Sequence, residues 1–353
     1  MKRFLIGTLS AFWFLAWSCV TPINPRTQSM ASKLVVDGLI TDQIGRSRIS
    51  LTQTADYTAA SLNLTVQRAT VFVTDQNGTR TIFREARPGF YLPVDPNWRG
   101  TAGQTYTLNI RTAEGKEYKS QPDLLKSVPP IDSVYWEYTR KPLAGTADFD
   151  KGFNVYIDTK DPKTEGDYFR WSWVHYEPIG VCDIRTVPRT TLTFSYPCCS
   201  NCWDIVRCYS CVTLASDEIV NGNVISRQPV LRAPFESMSK YYVEIEQYSL
   251  SRSAYQYWKT VRELTNNRGG IFDPAPVTLR GNMTSTTDPS EPVFGFFGAS
   301  GSSVRAVTID RSQTGDSPNL RAPLPPFPDG LPPCAVCVDN DFRTPNTPRW
   351  WTN

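Results

Sequence analysis

Apolar and polar residues alternate along most of this chain, and a period of two is the signature of half-buried strands. Residues 33–40 (KLVVDGLI) and 69–74 (ATVFVT) read as strands. In 46–51 Ile49 and Leu51 share a side, and in 104–111 Tyr106, Leu108 and Ile110 do the same. Asn77-Gly78 favours a tight hairpin turn, returning the chain into 81–84. Seven or so short strands with turns between them predict a sandwich over 31–125. The prolines of 122–130 exclude helix and mark a boundary. Beyond it, strands are predicted at 131–138, 152–158, 167–176, 218–225, 229–234 and 240–250. The strand at 167–176 is aromatic on both parities: Phe169, Trp171 and Trp173 on one face, Tyr168, Val174 and Tyr176 on the other. Such a strand is covered on both sides, or offers one side to a ligand. The period changes once. Tyr255, Trp258, Val261 and Leu264 form a helical stripe within 251–266, with Ser249 or Ser251 as cap and Gly269-Gly270 after its end. Residues 292–299 and 304–311 read as a closing pair of strands, and 312–353 is loop-like.

The expected fold class is therefore mainly β. An N-terminal β-sandwich of immunoglobulin or fibronectin type (31–125) precedes a larger β-rich domain (131–311). That domain has one main helix and a cysteine-rich insertion at 182–211. A proline-rich extension (312–353) follows.

The first residues break this pattern. Lys2 and Arg3 precede a mostly apolar run at 4–17, then Ser18 and Cys19. Basic, apolar and small in that order is a secretory signal. The run is shorter than the roughly 20 residues of a spanning helix. A cysteine after a small residue is the acceptor of a lipoprotein lipid. Residues 1–18 are thus expected to be removed, Cys19 to be acylated with palmitate-type chains, and 19–30 to serve as a tether. Two or more acyl chains anchor stably where one is marginal.

The formal net charge of +3 falls to about +1 without Lys2 and Arg3. No basic patch suggests phosphate contacts, so nucleic acid is not an expected partner. Eight cysteines remain after Cys19: Cys182, Cys198, Cys199, Cys202, Cys208, Cys211, Cys334 and Cys337. An even number in an exported chain points to disulfides, with 105 complete pairings open. The rival is zinc on two CxxC units, Cys199/Cys202 and Cys208/Cys211. Their short spacing and the oxidising route favour disulfides, so neither metal nor cofactor is expected. A link from Cys334 or Cys337 to the insertion would pin a tail that otherwise lacks packing.

Candidate chemistry is sparse. The one histidine, His175, lies in the aromatic strand with no motif around it. Asp158 with Asp161, and Glu244 with Glu246, are carboxylate pairs that could meet, although Glu244 and Glu246 read as a solvated edge. No catalytic residues are assigned. Among many tryptophans, Trp203, Trp350 and Trp351 are the hardest to bury and are the candidates for a binding surface.

Several segments together resemble the DUF4249 lipoproteins of Bacteroidota. They are the Cys19 signal, KLVVDGLITD at 33–42, GQTYTLNIRTAEGKEYKS at 103–120, VPPIDSVYWEY at 128–138 and DYFRWSWVHYE at 167–177. CW at 202–203, YYVEIEQYSLSRSAYQYWKTV at 241–261, FDPAPVTLRGNMTS at 272–285 and VFGFFGAS at 293–300 complete the set. The resemblance implies an outer-membrane lipoprotein, at the cell surface rather than on the periplasmic face. It implies an accessory or substrate-capturing partner of a TonB-dependent, SusC-like β-barrel transporter, with a glycan or peptide as possible ligand. It supplies no catalytic residues. Two alternatives stay open: a structural or assembly subunit of a larger outer-membrane complex, and a carbohydrate- or peptide-active enzyme. Asp132-Ser133-Val134 also fits the Asp-Ser/Thr-apolar pattern that this phylum O-glycosylates.

Overall fold

The computed structural model describes residues 32–55, 64–146, 148–181, 200–208, 212–217, 221–266, 279–319, 336–340 and 342–348. The chain is mainly β, and its strands form three sheets. The first part contributes β1 (Leu34–Thr41), β2 (Arg48–Gln53), β3 (Thr70–Asp75), β4 (Arg80–Arg87), β5 (Phe90–Pro93), β6 (Thr105–Arg111), β7 (Glu117–Ser120) and β8 (Asp123–Leu124). Then follow β9 (Ile131–Pro142), β10 (Phe149–Lys160), β11 (Tyr168–Val181), β12 (Ser200–Arg207), β13 (Thr213–Ser216), β14 (Val224–Pro234) and β15 (Tyr241–Leu250). Helix α1 (Arg252–Asn266) comes next, then β16 (Met283–Ser285), β17 (Phe294–Ser300), β18 (Ser302–Ile309) and β19 (Arg343–Thr344). Among the described residues no helix is long and apolar enough to cross a membrane.

The predicted alternation is realised as burial. In β6, Tyr106, Leu108 and Ile110 are buried while their neighbours are half-buried or exposed. In β2, Ile49 and Leu51 point into the same core. The sheet they belong to differs from the expected sandwich. Ten strands are hydrogen-bonded without a break, in the order β16-β7-β6-β3-β4-β5-β2-β1-β17, with β8 on β6. This sheet rolls around one core, and its two ends meet side by side. The seam is stapled by side chains. Asn282 Oδ1 accepts from Phe297 N (2.9 Å), and its Nδ2 donates to Phe297 O (2.7 Å), so one amide stands in for a facing peptide group. Asp123 Oδ2 accepts from Ala299 N (2.8 Å).

The expected closing pair is corrected here. Residues 294–300 lie parallel to β1 in the rolled sheet, whereas 302–309 pair antiparallel with β15 in another sheet. Alternation marks a strand but does not name its neighbour. The join requires glycine: Gly295 has φ +86°, and a Cβ there would sit 1.9 Å from Val36 O.

The facing pair of sheets belongs to the second part. A three-stranded sheet, β14-β10-β9, packs on a six-stranded one, β18-β15-β11-β12-β19 with β13 on β11. Phe153, Val155 and Ile157 of β10 meet Phe169 and Trp171 of β11 and Val243 and Ile245 of β15 in one core. Trp171 Nε1 donates to Gln247 Oε1 (2.8 Å), and Gln247 Nε2 donates to Pro129 O (2.9 Å), so this buried polar pair is hydrogen-bonded. On the outside of the smaller sheet, Asp158 accepts from Ser133 Oγ, Tyr135 Oη and Arg227 N. The hydroxyl of the Asp132-Ser133-Val134 pattern is therefore committed to a carboxylate.

Candidate functional site

Strand β11 divides its side chains between two environments. Phe169 and Trp171 enter the sandwich core, and the opposite parity forms the outer face of the six-stranded sheet. Three bodies lie over that face. Helix α1 covers one end, where Tyr255 stacks on Tyr168 (4.6 Å) and Arg170 lies over the Trp258 ring (3.6 Å). The rolled sheet covers the middle through the turn between β1 and β2. Residues 342–348 reach the far end. Between the last two is an open cleft of about 280 Å³ lined by Arg46, Tyr176, Glu244, Thr344, Asn346, Thr347 and Pro348.

Arg46 is the centre of the cleft wall. Its turn is fixed to the start of β18: Asp42 Oδ1 accepts from Ser302 N (2.8 Å), and Gln43 Nε2 donates to Ser302 O (3.0 Å). From there Arg46 Nη2 donates to Glu244 Oε1 (2.6 Å) and Nη1 to Glu246 Oε1. Glu246 Oε2 accepts from Tyr248 Oη. Burial pulls the Arg46 pKa down, but the two carboxylates outweigh it and the net shift is upward. Tyr248 is raised by burial and by the neighbouring Glu246. Tyr176, at the cleft floor, is raised by burial. Glu244 and Glu246 are thus no solvated edge, as their alternation in sequence suggested. They share one face of β15 because they clasp one guanidinium from the other part of the chain.

The opposite wall comes from the C-terminal segment. Cys337 is joined to Cys202 by a disulfide, across a sequence separation of 135. Arg343 and Thr344 pair with Asp204 and Trp203 of β12. Ile205 N donates to Phe342 O (2.7 Å), and Arg343 Nε donates to Asp204 Oδ1 (2.8 Å). The expected link from the 334/337 pair to the insertion is present in this form. Since the Cys202 sulfur is spent on Cys337, the zinc alternative loses a ligand. Cys208 is disulfide-bonded as well. Cys19, Cys182, Cys198, Cys199, Cys211 and Cys334 lie outside the described residues.

The proposed aromatic contacts fare unevenly. Trp350 and Trp351 lie outside the described residues. Trp203 is buried, 5% exposed, and offers no surface. It lies in the cysteine-rich insertion but occupies a strand, with Thr344 opposite. The groups weighed for chemistry have structural partners. His175 is buried, its Nδ1 donating to Tyr242 O (2.6 Å) and its ring stacked on Tyr241 at 3.5 Å. Asp158 supports a bulge in β14, and Asp161 Oδ2 accepts from Gly222 N (2.9 Å). Among the described residues no three His, Cys, Asp or Glu side chains gather as a metal-ligand set.

Sequence reasoning missed Arg46, Thr344 and Asn346. None belongs to a motif, and only tertiary contact brings them together. Chemically the cleft is lined by a carboxylate and a guanidinium bonded to each other, a phenol, two hydroxyls and an amide. That set suits hydrogen bonding to a polar ligand or to a partner's polar side chains. In comparisons with known proteins, residues 20–306 match the family model described as a domain of unknown function, DUF4249. No curated protein matches the chain.

Proposed function

Since this chain belongs to the DUF4249 family, we propose that it is a non-catalytic lipoprotein, anchored through Cys19 to the outer membrane at the cell surface. Its role in this reading is to capture a polar ligand or partner as an accessory subunit of a TonB-dependent, SusC-like barrel. The observation that carries the reading is the open cleft lined by Arg46, Tyr176, Glu244, Thr344 and Asn346, where polar side chains from distant segments meet. Glu244 and Glu246 are bonded to Arg46, and His175 is buried with its Nδ1 bonded to Tyr242 O. Glycans and peptides both offer the hydrogen-bonding edges such a cleft accepts. The signal, the cysteine and the tether in residues 1–30 support the anchored setting.

The test is a pull-down of the tagged, lipidated protein from gently solubilised outer membrane, with mass spectrometry. The expected result is a stoichiometric TonB-dependent barrel, with recovery reduced by Tyr176→Ala. Recovery of no barrel would overturn the transporter role. A second reading, a structural or assembly subunit, is favoured by one observation. Val336, Val338 and Phe342 are 85%, 65% and 62% exposed on the segment that the disulfide pins. Recovery of other lipoproteins in place of a barrel would support it.

A further inference from the structure

Strands β3, β4 and β5 send alternate side chains to opposite faces of the rolled sheet. Val71, Val73, Phe83 and Tyr91 lie in its core and are at most 2% exposed. The outward set forms a connected apolar row. Phe72 stands opposite Ile82, and Val94 N donates to Ile82 O (3.0 Å). Leu92 precedes Val94 on the same side. Ile82 is 61% exposed, Val94 49% and Leu92 37%. Arg80 and Arg84 flank Ile82 along its own strand, and both are exposed. Arg84 is the cross-strand partner of Leu92, and the Arg80 guanidinium lies over the Phe72 ring at 4.8 Å. The acids of the flanking turns face their own backbone. Asp75 accepts from Asn77 N and Thr79 N, and Asp95 accepts from Asn97 N.

We propose that this face rests on the lipid surface to which the chain is anchored. Arg80 and Arg84 meet anionic headgroups, and Ile82, Leu92 and Val94 sit among the ester groups beneath them. The proposal goes beyond the cleft and rests only on the anchored reading of Cys19. Three features select a membrane. Exposed apolar side chains interleaved with arginines match the two layers of a lipid interface, since an arginine stem lies along apolar surface while its head reaches a phosphate. The sheet rolls around its core, so its outer face is convex, a shape that meets a plane and does not enclose a small ligand. The face is also within reach of the anchor. The stretch from Cys19 to Leu34 can extend to about 50 Å. Strand β5 lies only two strands from β1, about 10 Å across the sheet. A single lipid anchor leaves a domain free to swing, and this second contact fixes which side it turns to the membrane.

The test is co-sedimentation of the full mature chain with vesicles, using Cys19→Ala so that no acyl chain holds it. One set of vesicles is equal parts phosphatidylcholine and phosphatidylglycerol, the other phosphatidylcholine alone. The protein is expected to bind the anionic vesicles, less so as salt is raised. Arg80→Glu/Arg84→Glu should weaken that binding about tenfold or more. Ile82→Ser/Val94→Ser should weaken it at every salt concentration. These four side chains are exposed, so the variants should keep the native melting midpoint. Should the charge reversal not fold, Arg80→Gln/Arg84→Gln takes its place and must still weaken binding. No sedimentation with anionic vesicles, or binding that both variants leave unchanged, would overturn the proposal. So would an Ile82→Ser/Val94→Ser variant that binds vesicles normally but loses self-association or a co-purifying barrel, since the face would then belong to a protein. Vesicle binding by a chain whose Cys19 is never acylated would sink the anchored reading and leave this face as a lipid contact. An acylated Cys19 without vesicle binding would do the reverse.

Discussion

Asn282 does for the rolled sheet what a strand would otherwise do. Its amide satisfies both backbone groups of Phe297, a residue with no exposed surface. Asn282→Ala leaves a buried N–H and C=O without partners, a loss of about 2 kcal/mol. Thermal unfolding of the variant should show a correspondingly lower midpoint. Asp316 is the clearest pH-dependent residue. It accepts from Lys151 Nζ (2.8 Å) and Tyr138 Oη (2.8 Å), and these bonds hold its carboxyl down to about 2. Because the folded value lies below the unfolded one of about 3.9, its contribution is present above that pH. It is lost as pH falls through about 4 toward 2. Asp316→Asn should therefore lower stability in denaturant titrations near neutral pH. The difference from the native protein should vanish near pH 2.

At the scale of elements, helix α1 was the most legible feature. Its predicted span, 251–266, is observed as Arg252–Asn266, and Ser251 Oγ accepts from Ala254 N (3.2 Å) as the cap. Ser251→Ala should cost about 1 kcal/mol in chemical unfolding. The other candidate cap, Ser249, donates to Lys126 O instead. Strands were legible too, because Tyr106, Leu108 and Ile110 must share a face to be buried together. Their partners were not. Nothing in 294–300 says that it lies along β1 and not along 302–309, since the strand is buried on both faces and its apolar pattern names no neighbour. The site was less legible still. Trp203 looks exposed in a cysteine-rich stretch, yet a segment 135 positions away in sequence is bonded beside it. Glu244 and Glu246 look solvated until Arg46 arrives from the turn after β1. Local pattern carries burial, whereas the cleft is made of contacts between distant segments.

For the whole molecule, Arg46 matters because it joins the rolled sheet to the sandwich. Its side chain is 23% exposed and its partners 13% and 10%, so the triad is largely withdrawn from water. Arg46→Ala removes the one guanidinium that bonds both carboxylates, with Arg48 left near Glu246. A loss of about 2–3 kcal/mol is expected. Unfolding followed separately by probes in each part should lose coincidence. The parallel pairing of β1 with β17 has a consequence for the chain's history. Val35 waits for Phe294 across almost the whole length of the protein. The first half of the rolled sheet therefore leaves the ribosome long before its closing strand exists. Until then β1 presents a bare edge to its surroundings, the kind of edge that recruits strands from other chains. Folding of this protein is thus gated by the arrival of its last third. For that interval the edge must be shielded from the strands of other chains.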